Sequence, residues 1–167
     1  SLTTHDVANS INNITGQSAC KWLVMEWDGR ESSGIFVGNP IGWLLRNVNS
    51  SLALFKDNGI RSFSKVLIAI RPGRRNKRFI DVADKICRHF GASLTLLNIV
   101  SESDSNQKIK RTEKSSSELI SETKSKSVVK IIKSNSPVEA ISEESASYDL
   151  LILGTPEKDN WVSVLFG

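Results

Sequence analysis

The chain predicts an α/β fold in which a parallel sheet carries helices on both faces, and three observations predict it. Short uninterrupted apolar runs, such as VLIAI at 66–70, alternate with stretches whose apolar residues fall at helical spacing. These runs lack the in-out alternation of a sheet with one wet face, so they read as strands covered on both sides. One strand-and-turn segment also occurs twice. Residues 21–30 (KWLVMEWDGR) return in altered form at 149–158 (DLLILGTPEK), 128 positions later, with Leu23, Val24 and Met25 falling on Leu151, Ile152 and Leu153. A repeat at that spacing decides what counts as a whole fold. It predicts the C-terminal half of one α/β unit over residues 1–60 and a second unit over 65–167 that lacks its last helix and strand.

The first elements follow from local signals. In residues 6–15, Val7, Ile11 and Ile14 share one helical face, with Thr4 or Asp6 as N-cap and Gly16 near the stop. A strand follows at 21–27. Residues 28–38 form a Gly- and Ser-rich loop, and Asn39-Pro40 opens a short helix at 41–47 whose Ile41, Leu44 and Leu45 can face a sheet. The apolar run SLALF at 51–55 is a strand closed by Asp57-Asn58-Gly59.

The second unit opens at Lys65. Its first strand, 66–70, is broken by Arg71-Pro72-Gly73. Residues 76–90 place Phe79, Ile80, Val82, Ala83, Ile86, Cys87 and Phe90 for an amphipathic helix stopped by Gly91. The strand at 93–100 (SLTLLNIV) comes directly after, and so short an exit makes a parallel crossover. Residues 101–127 are dominated by Ser, Lys, Glu and Asn, with Ile109, Leu119 and Ile120 the apolar exceptions. They predict a mobile polar segment running into a marginal helix around 115–124. A strand at 128–133 leads to Ser136-Pro137, an N-cap with proline at the first helical position, reinforced by Glu139. That helix ends near Tyr148, and the strand at 149–153 delivers Gly154. The sheet of this unit is expected in the order 3-2-1-4, beside strands from the partial preceding repeat. A single domain assembled by permutation is the less usual alternative.

Composition narrows the function. The 167 residues fit about one domain, and 39% apolar with 24% charged residues is ordinary for a soluble protein. No apolar run approaches the roughly 18–20 residues of a bilayer span, and the N-terminus lacks the regions of a signal peptide, so a soluble chain is expected. The two cysteines, Cys20 and Cys87, form no CxxC pair, which excludes zinc and disulfide frameworks and suits free buried thiols in the cytosol. Net charge is +4, with one basic run at 71–78 (RPGRRNKR). No nucleic-acid partner is expected; a basic binder is the third reading and would show steep salt dependence. His5 and His89 lie far apart without a paired nucleophile, Glu26 and Asp28 lack a second hydrolytic motif, and Trp22, Trp27, Trp43 and Trp161 read as packing residues. No catalytic constellation emerges, and the chain is read as no enzyme.

The order of elements and the turns after the repeated strand resemble the universal stress protein domain, a nucleotide-binding α/β fold of the adenine nucleotide alpha hydrolase-like type. That family's turn is Gly, two residues, Gly, nine residues, Gly and then Ser or Thr. The second copy offers Gly154, Glu157 in place of glycine, and Gly167 at the right spacing; the first offers Glu26, Gly29 and Gly38-Asn39 with one residue fewer between. Trp27-Asp28-Gly29-Arg30, Gly38-Asn39, Phe55-Lys56-Asp57-Asn58-Gly59 and the strand at 66–70 further resemble the junction of a tandem pair. Such pairs form cytosolic tails of membrane transporters of the amino acid permease and cation-chloride cotransporter type.

The resemblance implies a ligand crevice beyond the carboxyl ends of the strands, where strand order reverses. Its candidate nucleotide- or anion-binding residues are Arg71, Pro72, Gly73 and Arg74 after the first strand, Val100 after the second, and Gly154, Thr155 and Gly167 around the fourth. Glycine turns at helix N-termini gather free N–H groups for phosphate, and Glu157 puts a carboxylate into that field. ATP-binding members resemble one another in an Asp after the first strand; here Arg71 stands there. An adenine nucleotide or a cyclic dinucleotide are the ligands to consider, and the basic run at 71–78 is a candidate contact for a membrane surface, against the alternative of a solvated helix start. The resulting expectation is a non-enzymatic regulatory or interaction domain on the cytoplasmic side of the plasma membrane, joined to a transmembrane transporter domain in the same polypeptide and forming a homodimer. A stand-alone nucleotide-binding universal stress protein is the alternative.

Overall fold

The computed structural model describes residues 10, 11, 13, 15, 16, 21–26, 51–71 and 76–154. The described residues divide between Gly59 and Ile60 into two compact units. In the first, the described residues between Ser10 and Gly16 are helical. Strand β1 (Trp22–Glu26) pairs in parallel with β2 (Ser51–Phe55), Trp22 opposite Ser51 and Glu26 opposite Phe55. These two strands form a sheet of their own. The short helix expected at 41–47 lies outside the described residues.

The second unit holds a four-stranded parallel sheet. Its elements are β3 (Lys65–Ala69), α1 (Asn76–Phe90), β4 (Ser93–Val100), α2 (Asn106–Ile120), β5 (Ser127–Lys133), α3 (Pro137–Ser145) and β6 (Leu150–Leu153). The strands lie in the order β5-β4-β3-β6, which is the expected 3-2-1-4. β3 sits in the middle because it is apolar on both faces: Val66, Leu67 and Ile68 are fully buried. Val66, Ile68, Leu94 and Leu96 pack on one side with Ile80, Ala83 and Cys87 of α1 and with Leu119 and Ile120 of α2. Leu67, Ala69 and Leu97 pack on the other with Ile141 of α3 and with Tyr148. The sheet therefore carries helices on both faces, as the alternating pattern predicts.

Each boundary has a local cause. Gly91 takes the left-handed conformation (φ 67°) and lets the Ala92 N–H donate to the Cys87 carbonyl at 2.8 Å, which ends α1. The Asp149 carboxylate accepts from the Ser64 and Lys65 N–H groups at 2.7 and 2.9 Å, tying the entrance of β6 to that of β3. Pro137 opens α3 as expected, but Ser136 caps it without a side-chain hydrogen bond.

The largest correction concerns residues 101–127. The helix expected at 115–124 spans Asn106–Ile120 instead. Ser105 caps it by accepting from the Lys108 N–H at 3.3 Å. Its inward side is Ile109, Thr112, Ser116, Leu119 and Ile120, a helical spacing in which Ser116 replaces an apolar residue. Ser116 is buried, and its hydroxyl accepts from the side-chain amide of Asn98 at 2.9 Å, a buried residue of β4. Counting only apolar residues hides this stripe.

Candidate functional site

In an open parallel sheet, the place where successive connections leave in opposite directions is the place where a crevice opens. Here that point lies between β3 and β6. β3 leads toward β4 and β5 on one side, whereas β6 is added on the other. Ala69 and Leu153 are register partners at the carboxyl end of this pair. Arg71 is two residues beyond Ala69 and Gly154 is one beyond Leu153, so the fold brings these two candidates to the ends of adjacent strands.

Val100 stands apart from them. β4 runs three residues past Leu97, the partner of Ala69, and at about 3.3 Å per residue that places Val100 roughly 10 Å further along the strand direction. Its side chain is buried and its carbonyl accepts from the Ser134 N–H at 2.9 Å. Pro72, Gly73, Arg74, Thr155 and Gly167, as well as Glu157, lie outside the described residues.

Gly154 is half-buried beside the ring of Phe79 in the first turn of α1. A methyl group at Gly154 would meet that ring at 3.8 Å, an ordinary contact, so steric need does not reserve the position for glycine. Arg71 is exposed. In the rest of the basic run, Lys77 forms an ion pair with Glu122 at 2.6 Å, which lifts its pKa above the ordinary lysine value, chiefly through that hydrogen bond. The pair lines a recess of about 170 Å³ between α1 and α2, together with Ser115, Glu118 and Leu119.

A polar network that sequence reading misses occupies the same edge of the sheet, beyond β4 and β5. The Asn135 side-chain oxygen accepts from the Ser101 hydroxyl at 2.9 Å and from the Glu102 N–H at 3.2 Å, while its amide donates to the Glu102 carboxylate at 3.1 Å. Asp104 accepts from the Ser101 N–H at 3.1 Å and from the Lys108 ammonium at 2.6 Å. The Lys108 hydrogen bond is the main reason the Asp104 carboxyl lies below its usual range; partial burial opposes it and the Ser101 N–H adds to it. The available signal is the pair of turn-forming clusters, Ser101-Glu102-Ser103-Asp104 and Ser134-Asn135-Ser136, directly after two consecutive strands.

Chemically, the ends of β3 and β6 offer an arginine and a glycine, and the segments after β4 and β5 carry a separate carboxylate- and amide-rich network. A planar guanidinium suits bidentate contact with phosphate or carboxylate. Among the described residues, no group of three or more His, Cys, Asp and Glu side chains is arranged to hold a metal ion. No helix among them is long and apolar enough to cross a membrane.

No family model matches the chain, and no curated protein matches it. Solved structures do. A universal stress protein from Archaeoglobus fulgidus DSM 4304 superposes with a TM-score of 0.70 at 17% identity, covering 97% of this chain and 59% of that one. The protein Rv1636 from Mycobacterium tuberculosis H37Rv matches with a TM-score of 0.48 at 16% identity, over 65% of this chain and 84% of that one. A universal stress protein family member from Burkholderia pseudomallei matches with a TM-score of 0.45 at 11% identity, over 62% and 87%. This chain thus spans about three-fifths of the first of these structures, and its fold is universal-stress-protein-like.

Proposed function

We propose that this chain is a non-enzymatic regulatory or interaction domain built on a nucleotide-binding fold, whose crevice has departed from the pattern used for ATP. The observation that carries the reading is Arg71. It follows the central strand at the switch point, where the family resemblance leads one to expect the carboxylate that receives an adenosine. A cation there favours an anionic group and removes a hydrogen-bond acceptor for a ribose hydroxyl. In sequence, Glu157 adds a negative charge to the turn that would otherwise gather N–H groups around phosphate.

The setting we propose is the cytoplasmic tail of a membrane transporter of the amino acid permease or cation-chloride cotransporter type, acting as a homodimer. Support comes from Trp27-Asp28-Gly29-Arg30, Gly38-Asn39 and Phe55-Lys56-Asp57-Asn58-Gly59, which resemble the junction of tandem units in such tails. The positive charge that the sequence concentrates at 71–78 is of the sign that would attract an anionic leaflet or a regulatory nucleotide.

Two measurements test this. Mass spectrometry of ligand released from the purified protein, followed by calorimetric titration with ATP and with cyclic dinucleotides, is expected to find no retained ATP and no ATP affinity in the micromolar range. Micromolar ATP binding would instead support a stand-alone nucleotide-binding universal stress protein. The transporter setting requires a multi-span segment in the same reading frame; sequencing a frame without one sinks it.

A further inference from the structure

Where the chain passes from the first unit to the second it carries the dipeptide Asn58-Gly59, within an exposed stretch running from Phe55 to Ser62. An asparagine followed by glycine is prone to a spontaneous reaction because no side chain on the glycine hinders approach of its backbone nitrogen to the asparagine carboxamide. Gly59 is open in this sense: nothing lies within 4 Å of where a Cβ would stand, and its φ of +84° is a conformation that other residues rarely adopt. Yet its nitrogen is engaged. The Gly59 N–H donates to Oδ1 of Asp57 at 2.7 Å, so the atom that must attack is held by the carboxylate two residues back.

We propose that Asn58 is a deamidation site in this connecting stretch, and that Asp57 holds the reaction in check. In the reaction the Gly59 nitrogen bonds to Cγ of Asn58 and the Cγ–Nδ2 bond breaks. The proton lost from the Gly59 nitrogen is balanced by the one gained by the departing amide, which leaves as ammonia. Solvent water then opens the cyclic imide at either carbonyl, giving aspartate or isoaspartate, with no change of oxidation state. The Asp57 carboxylate restrains the first step in two ways. The hydrogen bond must break before the nitrogen can turn toward Cγ, and a neighbouring negative charge disfavours deprotonation of that nitrogen. The product carries one more negative charge than asparagine, and isoaspartate lengthens the main chain of the connection by one carbon.

The test follows residues 57–61, which trypsin releases by cleaving after Lys56 and after Arg61, by mass and chromatographic retention during incubation of the whole folded chain at mildly alkaline pH. Asp57→Ala is expected to deamidate roughly fivefold faster than the parent, the factor corresponding to one hydrogen bond of average net strength. The parent chain in urea is expected to react faster than the same chain folded, which keeps the test decisive if the variant misfolds. Asn58→Ser should show no such mass change. An Asp57→Ala rate equal to or below the parent's, or equal parent rates in folded and urea-treated samples, would overturn the proposal.

Discussion

Burial alone would raise the Asp84 carboxyl of α1. Instead it lies below its usual range, because the Ser125 N–H at 2.8 Å, the Ser125 side chain, the Lys124 N–H at 3.0 Å and the Arg88 guanidinium at 3.1 Å all favour its charged form. One side chain thereby pins α1 to the turn that leads into β5. Asp84→Ala should destabilise the unit by about 1–3 kcal/mol, the usual cost of stranding such donors, measured by urea unfolding. The pH dependence has a definite sign. A carboxyl with a depressed folded pKa stabilises fully above its unfolded value of about 3.9, and that contribution is lost as pH falls through the lower folded value. The parent should therefore lose stability to acid more steeply than Asp84→Ala. Beside it, Cys87 is pushed up to about 11, mainly by burial and then by the Asp84 charge, which keeps the thiol neutral. The same scale explains what the sequence reveals of the candidate site. Arg71 and Gly154 are legible because each directly follows an apolar strand, whereas Asn135 owes its role to β4 and β5 being neighbours, a fact of pairing rather than of local sequence.

Helix α2 shows how an element can form with little apolar surface. Its Asn98–Ser116 hydrogen bond is buried on both sides, so removing one partner leaves the other stranded. Ser116→Ala should cost about 1–3 kcal/mol, whereas the same change in an Asn98→Ala background should cost less, with a coupling of about 0.5–3 kcal/mol in a double-mutant cycle from urea melts. Equal costs in both backgrounds would mean that the pair does not hold α2. Elements are legible from sequence wherever apolar periodicity and punctuation agree. Both ends of α1 can be read because Phe79, Ile80, Ala83 and Cys87 repeat at helical spacing and Gly91 stops them. α2 is misplaced by the same reading because its inward stripe passes through Thr112 and Ser116, and because burial of a serine becomes favourable only once β4 presents Asn98 opposite it.

For the molecule as a whole, the two units differ in how much each strand buries. β3 and β4 are sealed on both faces, while Val24 of β1 and Phe55 of β2 are 66% and 41% exposed. Amide hydrogen exchange should therefore be slowest in β3 and β4 and faster in the β1–β2 pair; uniform protection across both sheets would contradict this. The outer strands of the larger sheet differ from each other as well. Among the described residues, β5 pairs only with β4 and β6 only with β3. β5 bears Lys130 and Lys133 along its length, whereas β6 reads Leu-Leu-Ile-Leu and bears no charge. Lysines discourage a second backbone from adding to a strand, so among the described residues one outer strand carries that protection and the other does not, although Lys130 is also paired with Glu144 of α3 at 2.7 Å. Of the two outer strands described, β6 is consequently the one to which the backbone of a second molecule would add with less resistance.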